Sequence, residues 1–276
     1  MHQAPTQTYP PAKHVLRDLQ LAVEHHPNRT VQAWIPVGAE LLSPSGAPHP
    51  GALATLVDAV GGGLAAAVAQ PDWIATADLT LHLLGRTEAT ETHARGHVLR
   101  KGRTTVVVEV SLADQGDRAL GFATMSFALL PRRDGNPVIE SADSVQRMTT
   151  AVEGSGFEHP LEEETGLVVS DPSAGAVELA AVDYVRNSLG AVQGGMMAMA
   201  ASTAAQHALS HACGAAVETV DLQVTYLALA KIGPVRSRVR VLDASPSYGC
   251  AHVELVDAGA DERVTTLARV VAGRPA

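Results

Sequence analysis

Groups able to do chemistry are few in this chain, and the first is a carboxylate in an unexpected place. Asp58 is the only charged residue between Pro50 and Ala69, in a run made otherwise of Ala, Leu, Val, Gly, Pro and Thr. Its neighbours Leu56, Val57 and Val60 surround it with apolar surface. Burying a carboxylate without purpose is costly, so Asp58 reads as a functional group rather than a stray surface charge. A second feature is Arg186-Asn-Ser-Leu-Gly-Ala-Val-Gln-Gly-Gly195, a glycine-bearing turn ahead of another Ala-rich stretch. Such glycines shape a turn, or leave backbone N–H groups open to developing negative charge where a helix begins. The third is the cluster Arg100, Lys101 and Arg103, which suits a phosphorylated ligand but equally a solvated hairpin end.

Other motifs carry less. His207 and His211 have helical i, i+4 spacing, but no Glu follows the first and no third ligand accompanies them, so no metal site is expected. Gly61-Gly62-Gly63 has no downstream Lys and lies inside the apolar run, which excludes a phosphate loop. No Gly-x-Ser-x-Gly elbow is present. Cys213 and Cys250 read as small core residues rather than a disulfide framework.

The elements that must position these groups occur twice. The run from His49, His-Pro-Gly-Ala-Leu-Ala-Thr-Leu-Val-Asp, parallels that from Gln193, Gln-Gly-Gly-Met-Met-Ala-Met-Ala-Ala-Ser. Each is a turn followed by a helix that is apolar on nearly every side. Downstream, the alternating segments Asp78 to Leu84 and Asp221 to Leu227 match within one residue of the same offset. Val98-Leu99-Arg100 then matches Val241-Leu242-Asp243, and Val106 to Leu112 matches Ala251 to Asp257. Upstream strands are expected at Val31 to Val37 and Ala176 to Val185, an amphipathic helix at Ala12 to Glu24, and a short helix near Ser144 to Val152. An apolar helix must be wrapped, and the alternating strands of each half offer one face to do it. The expected division is a leading segment 1–30, units at 31–131 and 175–276, and a polar connection 132–174.

Composition bounds the partners. With 46% hydrophobic and 18% charged residues, the chain has material for one large core or two ordinary ones. A net charge of −9 argues against nucleic acid, which needs a basic face, while leaving local phosphate binding open. The opening Met-His-Gln-Ala-Pro-Thr-Gln lacks a basic start followed by an apolar stretch, and the apolar runs are interrupted by Asp58 or by Ser202, Thr203 and Gln206. A cytoplasmic protein with no membrane partner is the expectation.

The run around His49, the Asp78 strand, the Val-Leu-Arg-Lys-Gly-Arg turn and, independently, the Asn187 to Gly195 run resemble hotdog acyl-CoA thioesterases of the phenylacetate-degradation type. The resemblance implies an α+β fold of two fused hotdog domains, each an antiparallel sheet wrapped round a long central helix, packed as a pseudo-dimer. It implies hydrolysis of acyl-CoA without metal or organic cofactor. It also implies shared labour: one unit supplies an Asp, and the facing unit supplies an Asn and the first Gly of a His-Gly-Gly motif to hold the thioester carbonyl. Here the first half keeps Asp58 but has Ser43 and Pro50 at the Asn and Gly positions; the second keeps Asn187, Gly190, Gly194 and Gly195 but has Ser202 at the Asp position. Proline has no N–H to donate. The resemblance therefore implies one composite site, with Asp58 as base or nucleophile facing an oxyanion site of Asn187 and Gly194. Thr76 stands where relatives carry a hydroxyl near the carboxylate, Gln193 replaces the usual His in a turn-supporting role, and Gly195 sits with the substrate. Arg100, Lys101 and Arg103 would grip the CoA phosphates. The alternatives are a non-catalytic acyl-CoA-binding hotdog protein and a hotdog 3-hydroxyacyl-thioester dehydratase or hydratase. Further pairing into a homo-oligomer is left open.

Overall fold

Residues whose side chains alternate between apolar and polar form strands, and among the described residues thirteen strands join one antiparallel sheet. The computed structural model describes residues 9–26, 30–85, 88–132 and 144–274. In chain order the elements begin with helix α1 (Val15–Asp18) and strands β1 (Ala22–His25) and β2 (Val31–Pro36). Helix α2 (Pro50–Ala69) follows, then strands β3 (Trp73–Leu83), β4 (Glu91–Lys101), β5 (Thr105–Asp114), β6 (Ala119–Leu130) and β7 (Gln146–Thr149). Then come helix α3 (Leu161–Glu164), strands β8 (Leu167–Asp171) and β9 (Ala176–Leu179), and helix α4 (Gly194–Cys213). The chain closes with β10 (Glu218–Tyr226), β11 (Val235–Ser245), β12 (Tyr248–Asp257) and β13 (Arg263–Gly273).

The strand order is β7-β1-β2-β4-β5-β6-β3-β10-β13-β12-β11-β9-β8. Read outward from the β3–β10 junction, both sides run through corresponding strands, with β7 as an extra edge on the first side. At the junction Thr80 lies opposite Gln223, flanked by Leu79 opposite Val224 and Leu81 opposite Leu222. Thr80 and Gln223 are equivalent positions of the sequence repeat, so the register is centred on the repeat itself.

Helix α2 packs against β2 to β6, and α4 against β9 to β13; the two helices also pack on each other. Both are Ala- and Gly-rich because little space separates them. A Cβ on Gly51 would come within 2.5 Å of Met199 Cβ, and one on Gly195 within 2.1 Å of Thr55 Oγ1. By length and composition α2 could cross a bilayer, but most of it is buried inside the protein, as in a core helix.

Three local expectations are corrected. In place of a helix from Ala12 to Glu24, α1 ends at Asp18, Gln20 takes a positive φ of 51°, and Ala22–His25 pairs with β2. Ser144 to Val152 holds no helix; Gln146–Thr149 extends the sheet edge beside β1. The strand from Ala176 stops at Leu179, and Asp183–Val185 is a 3-10 turn. In each case strand pairing or turn geometry overrides local preference.

Candidate active site

Asp58 sits mid-way along α2, one turn from Thr55 and facing the sheet. Its partner Thr76 owes its direction to a bulge in β3. The register with β6 shifts between Thr76 and Asp78, so Thr76 turns inward although Asp78 faces solvent. Thr76 Oγ1 donates to Asp58 Oδ1 at 3.1 Å. Burial raises the Asp58 pKa from an ordinary 3.8 to about 6, and the Thr76 bond opposes part of that rise. The residue as a whole is half-buried because it opens on a cavity.

Across that cavity stands the start of α4. Gly194 is its first residue, so its N–H lacks an intrahelical partner. A Cβ placed on Gly194 would lie 3.2 Å from Asp58 Oδ2 and 3.3 Å from the Tyr226 hydroxyl. The carboxylate of the first half and the helix start of the second thus face each other closely. The cavity, about 450 Å³, is lined by Asp58, Thr76, Asn187, Gln193, Gly194 and Tyr226, with Leu16, Ile74, Leu189 and Leu229 among its apolar walls.

Asn187 holds its own turn. Its Oδ1 accepts from the N–H groups of Leu189 at 2.9 Å and Ala191 at 3.1 Å, leaving the Nδ2 hydrogens available to a ligand. Gly190 completes that turn with a φ of 74°, a conformation that favours glycine. Gln193 precedes α4 in the pocket wall without a side-chain bond to the helix, its amide 3.3 Å from Tyr9 Oη and 3.2 Å from His14 Nε2. His14 in turn reaches the Arg186 carbonyl at 2.8 Å, and burial lowers its pKa, which keeps the ring neutral. Gly195 does not line the cavity; it lies against Thr55, where its missing side chain lets the helices touch. Arg100 and Lys101 end β4, and Arg103 lies in the turn beyond; all three are exposed. Thr105 pairs with Ala128, and Ala128 with Ala75 of the pocket wall, so the basic hairpin end lies two strands from the cavity.

Tyr9 and Tyr226 were not singled out from the sequence. Tyr226 shares the alternation of Leu222 and Val224, an available sign that it faces inward. Tyr9 has no local signal, since its place depends on Arg186, whose carbonyl accepts from its hydroxyl at 3.3 Å.

A second cavity of about 340 Å³ occupies the corresponding place across the junction, lined by Ser43, Pro50, Leu83, Glu218 and Thr219 among others. Buried Ser202 and Thr219 share a 2.8 Å hydrogen bond, the counterpart of Asp58 and Thr76. Glu218 spends its carboxylate on Ser45, including the Ser45 N–H at 2.8 Å. His49, counterpart of Gln193, accepts the Gly51 N–H on Nδ1 at 3.0 Å and meets Glu162 through Nε2 at 3.3 Å. Both ring nitrogens are engaged, so His49 serves as a cap and an anchor.

Residues 6–123 match the family model described as acyl-CoA thioesterase C-terminal domain, and residues 189–263 match that of the thioesterase superfamily. No curated protein sequence matches the chain. Among solved structures, the tesB protein of Mycobacterium avium subs paratuberculosis is similar at TM-score 0.61 and 13% identity, covering 89% of this chain and 93% of that one. An acyl-ACP thioesterase from Bacteroides thetaiotaomicron gives 0.55 and 12%, covering 89% and 98%. A conserved protein of unknown function with hot dog fold from Alicyclobacillus acidocaldarius gives 0.57 and 14%, covering 89% and 93%. At such identities the likeness speaks for the fold, and the family matches speak for the chemistry. With a thioesterase family model matched in each half, on a fold shared with hotdog thioesterases, the chain is a thioester hydrolase.

Proposed function

We propose that this protein hydrolyses acyl-CoA thioesters at one composite site, where Asp58 faces an oxyanion site made by Asn187 and the Gly194 N–H. The observation that carries this reading is the approach of Gly194 to Asp58 across the halves, set against Pro50 and Ser202 at the matching positions. The Gly194 N–H and the Asn187 amide polarise the thioester carbonyl and hold the tetrahedral oxyanion; losing one such donor costs about 10²–10³ in rate. Asp58, ionised above about pH 6 and more basic than an ordinary aspartate, removes a proton from water as it attacks, or attacks the carbonyl itself. The C–S bond then breaks, and the thiolate leaves and is protonated; where Asp58 itself has attacked, water then hydrolyses the mixed anhydride, releasing the acid and restoring the carboxylate. Thr76 orients the carboxylate, and Gln193 supports the turn.

The rest of the reading follows from the repeat. The two units, 31–131 and 175–276, pack as the fused equivalent of a symmetric dimer, each sheet wrapped round its own long helix. The mirrored strand order and the register centred on Thr80 and Gln223 support this. The pairs α1–β1 and α3–β8 occupy matching places, which carries each unit upstream into the leading and connecting segments. Arg100, Lys101 and Arg103 grip the CoA phosphates, an anion-binding role compatible with a net negative chain. Engagement of both His49 nitrogens, and Gln193 at the matching place, leave no free His at either motif position for a dehydratase. The test is thiol release from several acyl-CoAs by wild type and Asp58→Asn. Release by wild type and its loss in a folded, ligand-binding Asp58→Asn are expected; near wild-type release by the variant would overturn the assignment of Asp58.

A further inference from the structure

Strand β10 ends at Tyr226, whose phenol lies beside both halves of the proposed site. Its hydroxyl donates to the Gly194 carbonyl at 2.9 Å. A Cβ on Gly194 would meet the Tyr226 hydroxyl at 3.3 Å and the ring carbon bearing it at 3.4 Å, with Asp58 Oδ2 at 3.2 Å. Phenol, glycine backbone and carboxylate therefore meet at contact distance. Burial, and after it the Asp58 charge, push the phenol well above its ordinary pKa, so it remains a neutral donor wherever the enzyme works.

We propose that Tyr226 is a positioning residue for hydrolysis, its hydroxyl pinning the Gly194 backbone so that the first N–H of α4 stays aimed at the thioester carbonyl oxygen. The inference rests on the composite-site reading above. A glycine at the first position of a helix has the least restrained backbone of any residue, and its N–H has no helical partner to fix its direction. Its carbonyl has two lone pairs; the helix ladder uses one, and Tyr226 takes the other. The second cavity supplies a control within the same chain. There the position matching Tyr226 is Leu83, beside Pro50, which has no N–H to aim. The hydroxyl is missing where the donor it would steady is missing.

The experiment is steady-state thioester hydrolysis by Tyr226→Phe, with Tyr226→Leu as a second variant because the matching strand already carries Leu83. The expected result is a fall in kcat of about tenfold, the rate equivalent of one net hydrogen bond, with KM nearly unchanged. In a Gly194→Pro background, where no N–H remains to be aimed, Tyr226→Phe should cost nothing more. The proposal is overturned by wild-type kcat in both Tyr226 variants, by a loss carried in KM, or by an undiminished loss on top of Gly194→Pro. Asp58→Asn measured alongside separates the two ideas. If it is inactive while Tyr226→Phe is unaffected, only the Tyr226 role fails; if it is active, the composite site fails.

Discussion

The two cavities flanking the β3–β10 junction are built from the same elements and differ in a handful of residues. In one, a carboxylate meets a hydroxyl, an amide and a helix start with a free N–H. In the other, Ser202 meets Thr219, Pro50 closes the helix start, Leu83 replaces a phenol, and Glu218 is held by Ser45. Geometry is retained on both sides, as the matching Asp58–Thr76 and Ser202–Thr219 bonds show. The difference is therefore one of chemical groups, and the scaffold accepts either set without rearranging. This is the pattern expected when one of two related sites suffices.

The largest contrast should come from the oxyanion donors. Asn187→Ala or Gly194→Pro should lower turnover by about 10²–10³, whereas Ser43→Ala and Pro50→Gly should change it only a few-fold. Rates for matched pairs decide this: equal losses at Asn187 and Ser43 would mean two working cavities. Titration with a non-hydrolysable acyl-CoA analogue sharpens the point, with one productive ligand per chain expected.

A smaller effect is expected at the hairpin ends, which differ as the cavities do. Changing Arg100, Lys101 and Arg103 to Gln should raise KM for acyl-CoA roughly tenfold and flatten its salt dependence. A pantetheine thioester, lacking the nucleotide, should hardly notice. Asp243→Asn, at the matching hairpin of the second half, should leave both substrates unchanged. Equal losses on both thioesters after the triple change would remove the phosphate role.

The smallest effect concerns stability. Asp58 has a folded pKa of about 6 against an ordinary 3.8, so its ionised form is disfavoured by folding. The penalty is fully present above about pH 6, shrinks as pH falls, and is gone below about pH 4. It amounts to at most about 3 kcal/mol, because the residue opens on the cavity. Asp58→Asn should therefore raise Tm at pH 8, by about 2–4 °C per kcal/mol relieved, and the gain should vanish at pH 4. Ser202→Ala should show no such pH dependence. A Tm gain for Asp58→Asn that is the same at both pH values would mean the carboxylate is not strained by burial.

Much of this arrangement was legible from residue types. The helices are visible because Pro50 to Ala69 and Gly194 to Cys213 are apolar on nearly every side, as a wrapped helix is. The paired strands followed from alternation, and Asp58, Thr76, Asn187, Gln193 and Gly194 do line one cavity. The failures lie where distant partners decide. Val15, Leu16, Leu19 and Leu21 suit a helix face, yet β1 is drawn into the sheet by β2. Gln146 to Thr149 has no buried side to announce a strand, and it forms one because β1 offers an open edge. Gly195, expected at the substrate, is needed by Thr55 across the helix pair, a demand no local motif expresses. Tyr9 enters the site from the far end of the sequence through bonds to Arg186 and Gln193.

The short helices α1 and α3 each seat against the turn of the opposite half. Asp18 accepts from the Tyr184 hydroxyl at 2.8 Å and His14 meets Arg186, while Glu162 meets His49. The halves clasp one another, so each carries surface that only a partner of its own kind can cover. A first half paired with itself would hold two aspartates and two prolines; a second half paired with itself, two serines and two glycine turns. Under the composite-site proposal neither self-pair contains a whole site, and only the mixed pair does. On that proposal, halves made separately should complement each other in trans, with covalent linkage serving to forbid the two sterile pairings.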